Sequence, residues 1–135
     1  MSPGEHERKS ATGAAAGEDE WVFTFESALH AVAPGVHDAQ NAWLSQIDSL
    51  RAPDRKTHEL IRMVCTVIAR QSLGIERHAK LAAEVGATWD EIAGSILLTE
   101  PAFGIVLAVE AFPAARRGFK AATAPPEDDD GAALG

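Results

Sequence analysis

The stretch from Asp54 to Ala83, DRKTHELIRMVCTVIARQSLGIERHAKLAA, constrains this chain more than any other. From Thr57 to Gln71 the apolar residues Leu60, Ile61, Val64, Val67 and Ile68 recur at separations of three and four. Glu59, Arg62, Thr66 and Arg70 keep the same spacing on a second stripe. This pattern predicts a helix with one face in the core and the other polar. Pro53 and Asp54 supply a start signal, and Ser72-Leu73-Gly74 a stop. Ile75, Ala79, Ala82 and Ala83 then open a new apolar stripe, so the expected unit is a helical hairpin. It places one acid, Glu59, near the start of the first helix and one histidine, His78, in the second.

At these residues a resemblance becomes visible. Asp54 to Ile61, Ile75 to His78 and Gly86 to Ile92 together resemble the carboxymuconolactone decarboxylase and alkyl hydroperoxidase D family, over roughly residues 52 to 103. The peroxidase branch of that family carries a Glu, a Cys-x-x-Cys dithiol and a His. Here the Glu falls on Glu59 and the His on His78, while the two cysteine positions fall on Gln71 and Gly74. The chain therefore resembles the branch that lacks the dithiol. The resemblance implies an all-α domain of about six helices that assembles as a homo-oligomer, a trimer or hexamer. It also implies a cofactor-independent lyase or isomerase acting on a small carboxylated or carbonyl compound. Glu59 and His78 are then the expected catalytic pair, with Arg62 and Gln71 as substrate-binding residues.

Taken alone, Glu59 reads as a surface acid pairing with Arg62 or Lys56 and His78 as a residue that stabilises a helix start; the resemblance turns the pair toward acid/base chemistry. A carboxylate and an imidazole close together tune one another, so that one accepts and the other donates a proton near neutral pH. Enolisation, decarboxylation of a carbonyl-activated acid and isomerisation all use that equipment. Arg62, one turn beyond Glu59, suits either a substrate carboxylate or a pairing with Glu59 or solvent. One geometric difficulty stands against the pair. Measured from Arg70, Glu59 lies about 17 Å back along its helix at ~1.5 Å per residue. A simple antiparallel hairpin then brings it to His78 only if the helix bends, a water bridges them or the site spans subunits.

Other chemistries find less support. His58-Glu59-Leu60-Ile61-Arg62 begins like a two-histidine zinc helix, but the fifth position is arginine. His30 and His37 flank Pro34-Gly35 without cysteine or carboxylate at ligand spacing, so no metal site is expected. Cys65 is the single cysteine and sits among Met63, Val64, Val67 and Ile68, which reads as a buried core thiol of low reactivity. A peroxiredoxin-type thiol peroxidase needs a peroxidatic thiolate and, for a dithiol cycle, a resolving partner. Neither is arranged in this sequence. The contrasting reading is a catalytically silent oligomeric binding or scaffold protein that kept the fold and lost the dithiol.

Charge and composition bound the partners. Of 20 acids and 12 bases, residues 1 to 20 hold five acids and two bases, and residues 121 to 135 hold four acids. The middle of the chain is thus nearly neutral, and no basic surface for nucleic acid is expected. No apolar run reaches the ~20 residues that span a bilayer, and the N-terminus has no cationic-then-apolar signal pattern. The expected compartment is the cytoplasm. Residues 1 to 19 and the acidic stretch from 123 to 135 read as disordered tails around one domain over 20 to 122.

Within that domain, Trp21, Phe23, Phe25, Ala28, Leu29 and Val32 lead into a helix from about Glu26, broken by Pro34-Gly35. Asp38 to Leu50 reads as a helix burying Ala39, Trp43, Leu44, Ile47 and Leu50. Gly86 is expected to cap the hairpin's second helix, and Thr88 with Glu91 to form a capping box. That next helix carries Ile92, Ala93, Ile96 and Leu97 inward up to Glu100-Pro101. Phe103 to Phe112 is apolar nearly all round, which suggests burial on more than one side, partly by a second subunit, and Pro113 is expected to break or kink this helix.

Overall fold

The computed structural model describes residues 27 to 125, and these are helical without strands. A helical stretch over 27–32 is followed by α1 (Pro34–Asp48), α2 (Arg55–Ile68), α3 (Ser72–Glu84), α4 (Trp89–Leu97), the single turn α5 (Glu100–Phe103) and α6 (Ile105–Thr123). The all-α expectation is met. The tail readings over 1 to 19 and 126 to 135, and Trp21, Phe23 and Phe25, lie outside the described residues. No helix among those described is long and apolar enough to cross a membrane.

The hairpin α2–α3 forms as its spacing predicts, but its hinge lies earlier than the glycine suggested. Helix α2 ends in a Schellman turn: Gln71 N–H donates to the Thr66 carbonyl and Arg70 N–H to that of Val67. The left-handed position is filled by Arg70, φ 55°, where glycine is usual. Ser72, Leu73 and Gly74 are then the first turn of α3 rather than a loop. Gly74 is small for packing: a Cβ there would sit 2.8 Å from the Thr66 methyl carbon on α2. Because a side chain at φ 55° is strained, Arg70→Gly is expected to raise stability by about 1 kcal/mol, read from urea unfolding. An unchanged or lower midpoint would show that the Arg70 to Glu110 ion pair, 3.7 Å, outweighs the strain.

The other end of α3 closes as expected. Ala87 N–H donates to the Ala82 carbonyl and Gly86 N–H to that of Ala83, with Gly86 at φ 100°. Thr88 and Glu91 form the capping box that starts α4.

The core lies where α3 packs against α2 and, most extensively, against α6. Met63 and Val67 from α2, Ile75, Ala79 and Ala82 from α3, Ile92 and Ile96 from α4, and Leu107, Ala108, Ala111, Ala114 and Ala115 from α6 are buried together. The alanines let α3 and α6 approach closely. Closest is Gly118, where a Cβ would overlap the Glu76 carbonyl oxygen. Helix α6 runs through Pro113 to Thr123 instead of breaking there. Pro101 likewise starts the short α5 rather than ending α4.

Burial departs from expectation on α1, on α2 and at Leu97 of α4, which is exposed. Helix α1 begins at Pro34, whose fixed φ suits a first helical position, and it buries none of its residues. Trp43 is 61% exposed and Leu50 60%, so neither is core within one chain. On α2 the buried residues are His58, Glu59, Met63 and Val67, while Ile61 and Ile68 are exposed. The helix is rotated relative to its apolar stripe, and its polar stripe carries a buried acid. On α6, Ile105, Val106 and Val109 are exposed on the face away from Leu107, Ala108 and Ala111, so one chain buries a single side of this helix and leaves open the face that a second subunit is expected to cover.

Candidate active site

Glu59 and His78 meet directly, with Oε2 of the carboxylate 3.1 Å from Nδ1 of the ring. The difficulty disappears once His78 is measured along its own helix as Glu59 is along its helix. Glu59 lies nine residues before the end of α2, and His78 six residues after the start of α3. The axial offset is therefore only about 4.5 Å, which a glutamate side chain spans without a bend.

Local structure holds α2 in place on both sides. Asp54 caps it, accepting from Thr57 N–H at 2.8 Å, and Lys56 reaches Glu91 at 2.9 Å on α4. The Thr57 hydrogen bond lowers the Asp54 carboxyl pKa, and the mutual hydrogen bond raises Lys56 and lowers Glu91, as a formed ion pair requires. From this fixed start, Arg55, Glu59 and Arg62 project from adjacent turns of one face.

Glu59 is 1% exposed and His78 partly buried. Burial pushes the Glu59 carboxyl up. The His78 hydrogen bond, with the charges of His78, Arg55 and Arg62, outweighs that and leaves the carboxyl below its ordinary value. The second oxygen, Oε1, lies 3.1 Å from Arg55 Nη2, yet it accepts no well-aligned hydrogen bond. Proximity without alignment gives Coulomb attraction but leaves a lone pair unsatisfied.

The depressed pKa has a consequence for stability. A carboxyl whose folded pKa lies below its unfolded value stabilises the fold fully above the unfolded value, and loses that contribution as pH falls through the folded one. Acidification from about pH 5 to pH 3 is expected to lower Tm more in the wild type than in Glu59→Gln. Equal losses in thermal melts of the two proteins would contradict this account of Glu59.

The other residues expected from the sequence divide. Arg62 is beside the pair but bonds Asp48, Nη1 to Oδ1 2.9 Å, rather than Glu59. Gln71 is exposed at the hairpin turn, caps nothing with its side chain and is not brought to the pair. Cys65 is exposed, not core. It lines an apolar groove of about 390 Å³ with Leu60, Val64, Ile68, Leu98 and Phe103. That groove lies on the flank of α2 away from Glu59, and the apolar stripe read as core faces it. Among the described residues no three His, Cys, Asp or Glu side chains stand together as a metal-ligand set.

Three neighbours of the pair were not expected: Arg55, His58 and Asp48. Arg55 turns Nη2 to Glu59 and Nη1 to Asp48, the latter at 4.0 Å, and His58 Nε2 is 3.9 Å from the same Asp48 oxygen. The spacing of Arg55, Glu59 and Arg62 on one helix face is legible in the sequence. Asp48 is not, because it arrives by the turn of chain over 49–54.

No protein-family model, no curated protein and no solved structure matches this chain.

Proposed function

We propose that the chain is a cofactor-independent acid/base enzyme, a decarboxylase-like lyase or an isomerase, acting on a small carboxylated or carbonyl compound. The observation that carries this reading is the Glu59–His78 contact. A carboxylate buried to 1% exposure holds the Nδ1 side of a partly exposed imidazole, Nδ1–H donating to Oε2. That fixes the ring and commits one nitrogen, leaving Nε2 for the substrate proton. In a decarboxylation, the electron pair of the breaking C–C bond moves into an adjacent carbonyl. The resulting enolate carbon is protonated from the dyad as carbon dioxide leaves. In an isomerisation the same pair removes a proton beside the carbonyl and returns it elsewhere. The resemblance to the carboxymuconolactone decarboxylase family supports this choice of reaction and a trimer or hexamer as the working assembly. The exposed apolar face of α6 and the apolar groove beside Cys65 suit burial between copies.

The test is turnover of a panel of carboxylated γ-lactones and β-keto acids, followed as carbon dioxide release, in wild type and Glu59→Gln. Release by the wild type and its loss in the variant is the expected result. Release that persists undiminished in Glu59→Gln would remove the reading, and no release from any compound would remove its decarboxylase form and leave only the isomerase.

One observation favours a second reading, a non-catalytic oligomeric binding protein. The apolar groove contains neither Glu59 nor His78. On this reading the groove is the working surface, and Glu59 with His78 is a structural ion pair.

A further inference from the structure

Asp48 is the last residue of α1, a helix that buries none of its side chains. Its carboxylate nevertheless occupies a defined position. Oδ1 lies 2.9 Å from Arg62 Nη1, 3.9 Å from His58 Nε2 and 4.0 Å from Arg55 Nη1. His58 is buried, at 7% exposure, and Arg62 is three-quarters covered, while Arg55 is half exposed, so the cradle is recessed on one side and open at Arg55. Asp48 itself remains 44% exposed. Arg55 connects the cradle to the dyad, with one guanidinium nitrogen toward Asp48 and the other toward Glu59 Oε1. That Glu59 oxygen is fully buried and lacks a hydrogen-bond donor, so the charged cluster is incompletely satisfied as it stands.

Two features set Asp48 apart from an ordinary structural ion pair. The groups around it are three potential cations on a single helix, α2, at the spacing that presents them to one small anion. The acid comes from a helix with almost nothing else to hold it against the domain. A carboxylate delivered on a weakly packed element is a natural stand-in for a carboxylate delivered by a ligand.

We propose that Arg55, His58 and Arg62 form a carboxylate-binding site that Asp48 occupies in the closed state, and that a small carboxylate enters by displacing Asp48 and releasing the end of α1. The proposal deepens the acid/base reading, on which it rests for the fate of the ligand once bound. It supplies the anchor that places a substrate carboxylate one helical turn from Glu59. Closure by Asp48 and binding of ligand then compete for one set of donors. The apparent affinity falls in proportion to the fraction of molecules whose cradle is open.

The experiment is calorimetric titration of the full chain with succinate at constant ionic strength, with succinamide as the uncharged control. Wild type is expected to bind succinate and not succinamide. Asp48→Asn, which keeps the shape and removes the charge, is expected to bind succinate roughly three- to tenfold tighter. Arg62→Met is expected to lose binding. Saturating succinate should also speed tryptic cleavage after Arg51, in the exposed turn of chain that follows α1. Equal or weaker binding by Asp48→Asn, no succinate binding by either protein, or an unchanged cleavage rate overturns the proposal. His78→Gln separates this result from the acid/base reading. Succinate binding retained in that variant, with turnover equal to wild type, would leave the cradle standing and remove the dyad. Turnover lost in His78→Gln while Asp48→Asn fails to tighten binding would do the reverse.

Discussion

Gly118→Ala is expected to destabilise the domain by about 3 kcal/mol, a fall in Tm of more than about 10 °C. The added methyl would overlap the Glu76 carbonyl oxygen and crowd the backbone at Lys80, 3.0 Å away. Neither obstacle is a flexible side-chain end. Relief requires α6 to move off α3, and that parting opens the interface on which Ala79, Ala82, Ala111, Ala114 and Ala115 are buried. His78 lies on α3 between Glu76 and Lys80, so any share of the displacement that α3 takes up shifts the ring relative to Glu59. Activity is expected to fall with stability. A loss below about 1 kcal/mol in urea unfolding would show that the helices tolerate the separation.

The largest effect on chemistry is expected from the dyad. His78→Ala should reduce kcat by about 10²- to 10⁴-fold, the usual contribution of a positioned general acid or base. Glu59→Gln keeps a hydrogen-bonding side chain of the same size but removes the charge that orients the ring, and should lose a comparable factor. The double variant should be little worse than either single one, because the two residues act as a unit. Multiplying losses in the double variant would mean that they act independently.

Much of the fold was legible because it rests on local signals. The hairpin followed from apolar spacing, and the Gly86 turn and Thr88–Glu91 capping box from residue types whose backbone demands are specific. The hinge was misplaced because Arg70 takes a backbone conformation that usually announces itself by glycine, while the nearby Gly74 serves packing against Thr66. The burial of Glu59 could not be read from periodicity. A carboxylate enters a core only when cations meet it there, and both His78 and the orientation of Arg55 depend on how two helices pack. Asp48 was invisible for a related reason, since its place depends on the chain over 49–54 and not on helical spacing. Trp43 shows the converse error. Amphipathic spacing on α1 predicts an apolar face but not what covers it, and one chain leaves that face open.

The pair itself was named from the sequence by resemblance, and the packing of α2 on α3 brings it together. Arg62 lies one turn from Glu59, as helical spacing requires, and its partner is Asp48. Gln71 is expected at the site only because the spacing of the resemblance sets a cysteine position on it. It lies at the hairpin turn because that spacing marks a position along the chain and not a direction in space.

Exchange of carbon-bound hydrogen in D2O, followed by proton NMR on a panel of small keto acids and carboxylated lactones, tests the Glu59–His78 dyad without requiring that the physiological substrate be known. Wild type is expected to exchange the hydrogen beside the carbonyl of at least one compound well above the buffer rate, and Glu59→Gln and His78→Gln to lose that exchange by about 100-fold or more. Exchange at the wild-type rate in both variants, or at the buffer rate for every compound, would contradict an acid/base role for the pair.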